Sequence, residues 1–207
     1  MIQIQKQPGQ RVLEIGCGAQ RNPSADVAVD VRPIPGVTDF AFNLEESPWP
    51  IKDADFFCVL GEFCLEHVAW PKVKDVLAET FRVLQPGGIA VFTTPNHEAQ
   101  FEWIKNNQGG WDGKDLQESA SELIFGSMDY PDNTHKAFFS PGVAIKLFSE
   151  AGFQNVVTRP YGSRSTDMSI EAKKPLVTIE TCGHAGPQGA VCKLTKGHSG
   201  NHVGEIP

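Results

Sequence analysis

Apolar positions fall into short runs divided by turn-forming residues, and the spacing inside each run names the element. Val12 to Ile15 is a short apolar run closed at once by Gly16 and Gly18, which predicts a buried strand over Arg11–Ile15 ending in a tight turn. Val27–Val31 predicts a second strand, with Asp30 near its carboxyl end, before Pro33, Pro35 and Gly36 break the chain. Val37–Phe42 predicts a third strand, Phe56–Gly61 a central one and Ile89–Thr94 a further one. Between the last two, Val73, Val76, Leu77, Thr80, Phe81 and Leu84 recur at helical spacing. Pro71–Leu84 is therefore an amphipathic helix, opened by Pro71 and stopped by Pro86-Gly87-Gly88. Ser140-Pro141 suits an N-cap and first turn, Val143, Leu147, Phe148 and Ala151 form an apolar face, and Gly152 closes that helix. Val156–Arg159 and Met168–Lys173 read as a final strand pair.

Two stretches depart from this alternation. Only eight residues separate Gly18 from Val27, and a full crossover helix needs more room. The first crossover is then a very short helix or a loop. Residues 95–139 hold Trp103, Trp111 and Tyr130 among many polar residues, and read as an insertion of one or two short helices over the strand ends. Residues 1–10 read as a polar lead-in. Strands alternating with helices predict an α/β domain: a Rossmann-like, doubly wound, mostly parallel sheet with helices on both faces and a late antiparallel strand. It spans residues 1–174, and a small Cys/His-rich tail follows over 175–207.

Charge and composition narrow the partners. The net charge of −7 argues against general affinity for nucleic acid. From Ala172 onward, four lysines face Glu180 and Glu205, so the tail carries about +2. The longest apolar runs are too short to span a bilayer, and Met1 to Gln10 lacks a signal-peptide pattern. These features place the protein in the cytoplasm, away from membranes. Its five cysteines do not form a secreted disulfide framework.

A strand, a glycine turn and an acidic residue ending the next strand suit a nucleotide-like cofactor, and two classes compete. A dinucleotide site commonly has a third glycine on a helix N-terminus, to receive pyrophosphate. Arg21 occupies that position here, and little helix is available. S-adenosylmethionine carries no phosphate, and Glu14-x-Gly16-x-Gly18 suits it better, with Asp30 accepting both ribose hydroxyls.

With Val29-Asp30-Val31, Leu65-Glu66-His67, Phe81-Arg82-Val83-Leu84-Gln85-Pro86-Gly87-Gly88 and Glu150-Ala151-Gly152-Phe153 added in order, the chain resembles the class I S-adenosylmethionine-dependent methyltransferases of the type 11 group. The resemblance runs from about Arg11 to Lys174. It implies that the Glu14–Gly18 motif, Cys17 included, lies at the cofactor, with Gly16 and Gly18 under its methionine part and Asp30 on the ribose. It further implies Asn43 and Leu44 against adenine, and Leu60 and Gly61 at the sulfonium.

Methyl transfer is an in-line displacement in which alignment alone contributes roughly 7–11 kcal/mol. A general base adds about 10²–10⁴-fold where the acceptor must lose a proton. Glu66, His67 and His135, with His97, stand near the expected strand ends. Glu66 and His67 also read as a structural loop pair, and His97 and His135 as surface polar residues. No Pro-Cys and no Asp/Asn-Pro-Pro-aromatic segment is present, which removes two classes of DNA-base methylation. Trp103, Trp111 and Tyr130 read equally as a pocket floor and as packing. The acceptor expected is a small molecule or a glycan.

In the tail, Cys182-x₉-Cys192-x₅-His198-x₃-His202 offers two thiolates and two imidazoles, a set that zinc takes tetrahedrally. A segment this poor in core gains little from folding without metal, whereas zinc supplies on the order of 10–16 kcal/mol in small fingers. It also resembles short Cys-Gly…Cys…Gly-His-x-Gly-His tails of actinobacterial and actinophage proteins, with His184 as a spare. A disordered tail is the other reading, and docking to a protein partner is the role a zinc module suits. At the level of the whole chain, the rival to an enzyme is a binding protein that keeps the cofactor fold without transfer.

Overall fold

Strands buried on both faces need continuous apolar sequence, and the centre of the sheet has it. In the computed structural model, which describes residues 1–106, 110, 113–163 and 165–176, every residue of β1 (Val12–Ile15) and β2 (Val27–Asp30) is buried. With β3 (Phe40–Ala41), β4 (Phe56–Glu62), β5 (Leu84–Pro95), β6 (Gln154–Tyr161) and β7 (Asp167–Lys173) they form one sheet in the order β3-β2-β1-β4-β5-β7-β6. Leu13 pairs with Val27 and Val59, and Leu60 with Val91, all in parallel ladders. β7 runs antiparallel to both β5 and β6. Strand order therefore reverses between β1 and β4, the point where ligands bind beyond the carboxyl ends in such sheets.

The helices are α1 (Val73–Val83), α2 (His97–Asn106), α3 (Leu116–Phe125) and α4 (Pro141–Glu150). α1 and α4 touch one another, and their Val76, Leu77, Ala144 and Phe148 join Leu13, Ile15, Val59 and Phe92 in the main core. Arg82 on α1 ties the helix to the preceding connector. It donates to Glu79, Asp53 and the carbonyls of Ile51 and Trp49, while Glu79 accepts the Trp49 N–H at 2.6 Å.

Several boundaries differ from the sequence expectation for local reasons. The third strand shrinks to Phe40–Ala41 because the backbones of Val37 and Thr38 close a turn on the Ile34 carbonyl. Trp70–Lys72 is a separate 3₁₀ turn, so α1 begins at Val73. Leu84 leaves the helix in extended conformation to pair with Phe56, and β5 absorbs Pro86-Gly87-Gly88 across a register shift. The insertion contains two helices that pack together, α3 being capped by Asp115.

The first crossover contains no helix. Over β1 and β4, the second face of the sheet is closed by the supposed lead-in: Ile2 and Ile4 pack on Val12, Cys58, Leu60 and Val91. The expectation of a polar lead-in fails at these two residues, whose side chains do the covering that a helix would do. Among the described residues no helix is long and apolar enough to cross a membrane. Met1–Pro175 is one compact unit. Cys182, His184, Cys192, His198, His202 and Trp111 lie outside the described residues.

Candidate active site

The turn after β1 is shaped by what each glycine meets. Gly16 has φ +65°, and a Cβ there would stand 2.5 Å from Cys64 Cβ; Gly18 has φ +60° and open space before it. Only glycine tolerates both demands at Gly16, whereas Gly18 leaves bare backbone facing a cleft. The Gly18 N–H donates to Asp30 Oδ2 at 2.8 Å, and Asp30 Oδ1 accepts from the Arg32 N–H and Nε, each at 3.0 Å. Burial lifts the Asp30 pKa, but the bonds from Arg32 and Gly18 outweigh it and hold the carboxyl below its ordinary value. A grip on two ribose hydroxyls through both oxygens requires Arg32 Nε to yield its place. The Arg32 guanidinium lies 4.9 Å from the centre of the Tyr130 ring.

Glu14 is turned to a different task. Buried, it accepts the Asn22 N–H at 2.8 Å, and Asn22 Nδ2 donates to Glu62 Oε1 at 2.6 Å and to the Ile2 carbonyl at 2.9 Å. The Ile2 N–H completes the circuit to Glu62 Oε2 at 3.1 Å. Burial raises the Glu14 pKa. This carboxylate therefore holds the loop that replaces the missing helix.

The cleft has a volume of about 410 Å³. Gly16, Cys17, Gly18, Asp30, Asn43 and Leu44 line it, as do Phe63, Cys64 and His67 beyond β4 and Tyr130, Asp132, Asn133 and Lys136 from the insertion. Of the residues expected at a cofactor, Glu14, Leu60 and Gly61 lie behind the wall. Leu60 packs in the second-face cluster, and Gly61 is crowded by Phe92 and Cys64. Asn43 Oδ1 accepts the Glu45 N–H at 3.0 Å, so its turn already uses one lone pair of the amide oxygen. Phe63 holds φ +50°, an uncommon conformation for a bulky residue, at the rim. Arg32, Glu62 and Phe63 were missed as lining residues. Their signal was available, because each lies within two residues of a strand end. Asp132, Asn133 and Lys136 carried no such signal.

Behind His67, the one member of the cluster that lines the cleft, Glu66, His67 and His135 come together, each offering one ligand-type atom and all within 4.8 Å of one another. The Glu66 carbonyl accepts the N–H groups of Lys136 and Ala137, which brings the loop after α3 onto the 3₁₀ turn Leu65–His67. Thr94 Oγ1 donates to Glu66 Oε2 at 3.2 Å, and His67 Nδ1 lies 3.2 Å from the Thr134 carbonyl. That carbonyl fixes the proton on Nδ1 and leaves the Nε2 lone pair free. His135 Nδ1 is buried without a hydrogen-bond partner. His97 and His135 are not the surface residues expected. His97 is buried, with Nδ1 3.1 Å from both the N–H and the carbonyl of Phe139, and lies against Phe138; His135 is half-buried between the other two imidazoles.

Burial pushes the Glu66 carboxyl up to about 8 and the His135 imidazole down to about 4, and it lowers His67 and His97 as well. Burial thus disfavours charge on every member of the cluster. Burial also pushes the thiols of Cys17 and Cys58 up to about 11 and about 12, and that of Cys64 well up. None of these three cysteines is a thiolate nucleophile at neutral pH.

Residues 3–158 match the family model of the methyltransferase domain. The chain belongs to that family. Botryococcene C-methyltransferase of Botryococcus braunii is 27% identical over 144 residues, covering 60% of this chain and 36% of that protein. The 24-methylenesterol C-methyltransferase 2 of Oryza sativa subsp. japonica is 26% identical over 123 residues, covering 49% and 31%. This methyltransferase-domain chain thus aligns with only about a third of the length of those relatives. Among solved structures, a possible histamine N-methyltransferase from Thermotoga maritima superposes with TM-score 0.54 at 20% identity, over 81% of this chain and 84% of that one. The CurJ carbon methyltransferase gives 0.54 at 18% identity, over 82% and 50%. Both share the fold.

Proposed function

We propose that this methyltransferase-domain chain transfers a methyl group from S-adenosylmethionine to a small-molecule acceptor. The observation that carries the reading is the bare backbone of Gly18, hydrogen-bonded to a buried, ionised Asp30, at the mouth of a cleft on the switch point of the sheet. Gly16, Cys17 and Gly18 would lie under the methionine end, Asp30 on the ribose, and Asn43 and Leu44 against adenine. Leu60 and Gly61 act from behind the sulfonium end, shaping the wall rather than touching the ligand. Glu14 holds the turn. The acceptor enters where His67, Tyr130, Asn133 and Lys136 meet, a wall rich in polar groups. A polar acceptor fits it better than the purely hydrocarbon chain of a terpene, and the Glu66–His67–His135 cluster is where the acceptor's proton is handled.

Titration of S-adenosylhomocysteine by calorimetry tests the cofactor reading. Asp30→Ala should weaken binding about 10- to 100-fold, the value of hydrogen bonds to a charged group. Binding equal to that of the unmutated chain, or none by either, would sink it. Residues 175–207 form, on this reading, a separate module in which Cys182, Cys192, His198 and His202 hold zinc. Cobalt substitution should then give a thiolate charge-transfer band that disappears in Cys182→Ser plus Cys192→Ser.

A further inference from the structure

We propose that Glu66, His67 and His135 form a binding site for one divalent transition-metal cation at the acceptor end of the cleft. The inference deepens the methyl-transfer reading and takes its purpose from it. Its chemistry rests on the donor set alone.

Two imidazole nitrogens and one carboxylate oxygen lie within 4.8 Å of one another. Bonds of about 2.0–2.2 Å to a common ion require donors about 3–4 Å apart, so a contraction of roughly 1 Å completes the site. Two segments supply the donors, and the Glu66 carbonyl holds them together through the N–H groups of Lys136 and Ala137. Each donor already has an outer partner of the kind that orients metal ligands. The Thr134 carbonyl stands at His67 Nδ1, the Thr94 hydroxyl at Glu66, and the Leu123 and Ile124 carbonyls beside the His135 ring.

The decisive atom is His135 Nδ1, buried and without a hydrogen-bond partner. A packing role would be served by an apolar ring that leaves no polar atom unpaired. A cation supplies the missing partner. Glu66 is buried, whereas His67 lines the cleft, so the ion would have three protein ligands and one open side. That is the pattern of a catalytic rather than a structural site. Nitrogen and carboxylate donors suit zinc, manganese, iron, cobalt or nickel, and such an ion beside the cleft would be a Lewis acid for an acceptor oxygen.

The test is a cobalt(II) titration of the full chain carrying Cys182→Ser and Cys192→Ser, stripped with chelator and followed by visible absorption. One cobalt per chain is expected, with weak ligand-field bands and no thiolate band. His135→Gln and Glu66→Gln should each weaken it at least tenfold. X-ray absorption at the cobalt edge should show imidazole scattering without any substitution in the cluster. Absence of binding, a shell lacking imidazole, or equal affinity in both cluster variants would overturn the site. S-adenosylhomocysteine calorimetry on the same samples separates the two readings. Cofactor binding without cobalt removes the metal alone, and cobalt without cofactor removes the methyl-transfer reading alone.

Discussion

At the scale of single residues, two glycines with nearly the same backbone conformation have different reasons to be glycine. Gly16 and Gly18 both sit in the left-handed region, but only Gly16 faces Cys64. Alanine at either position carries the conformational cost of roughly 1–2 kcal/mol, and Gly16→Ala adds the clash at 2.5 Å. Gly16→Ala should therefore lower Tm by roughly 4–12 °C and Gly18→Ala by clearly less, in paired thermal melts. Equal losses would mean that Cys64 moves aside without cost. Gly16, Gly18 and Asp30 were legible because glycines in tandem and an acid at a strand end are written in consecutive residues. The imidazole cluster was only half legible. Leu65-Glu66-His67 follows a strand visibly, whereas the burial of His97 and His135 depends on contacts to Phe138 and Phe139 and to the other imidazoles, which no local pattern encodes.

At the scale of elements, α1 is fastened by charge as well as by its apolar face. The side-chain bond from Arg82, with the Trp49 N–H, keeps the Glu79 carboxyl below its ordinary value despite partial burial. A folded pKa below the unfolded one gives stability that is full above the unfolded value near 4.5 and is lost as pH falls through the folded value. Glu79→Gln should thus cost about 1.5–3 kcal/mol at pH 7, and the gap to the unmutated protein should close below the folded pKa. Urea unfolding at a series of pH values measures it, and a gap independent of pH would contradict the assignment. The Asp53 partner is mostly exposed, so Asp53→Asn should change little. Helix and strand identities were readable from spacing, but several ends were not. Leu84 obeys the helical period yet pairs with Phe56, and Val37 looks β-forming yet spends its N–H on a turn.

At the scale of the whole molecule, the α/β class, the mostly parallel sheet and the ligand groups at strand ends follow from the alternation of runs, whereas the order β3-β2-β1-β4-β5-β7-β6 depends on pairings between distant strands. What closes the second face was not legible either, because Ile2 and Ile4 sit among glutamines in a stretch with no periodicity. That strap is fastened to Glu62 in the cleft wall and to the loop behind it: Ile2 N–H bonds Glu62, Ile4 N–H bonds Ser24 Oγ, and Asn22 donates from Nδ2 to Glu62 and from its backbone N–H to Glu14. A segment with no secondary structure opens at low cost and is among the first to exchange its amides with solvent. A ligand that binds more tightly with the strap closed slows that opening, and by reciprocity the closed strap then tightens that ligand by the same factor. Deuterium uptake at Ile2 and Ile4 should fall when S-adenosylhomocysteine is present, and deleting residues 1–5 should weaken the ligand to match. Uptake that ignores the ligand would make the strap a passive cover; slowed uptake, matched by weaker binding after the deletion, would make it part of what holds the cofactor.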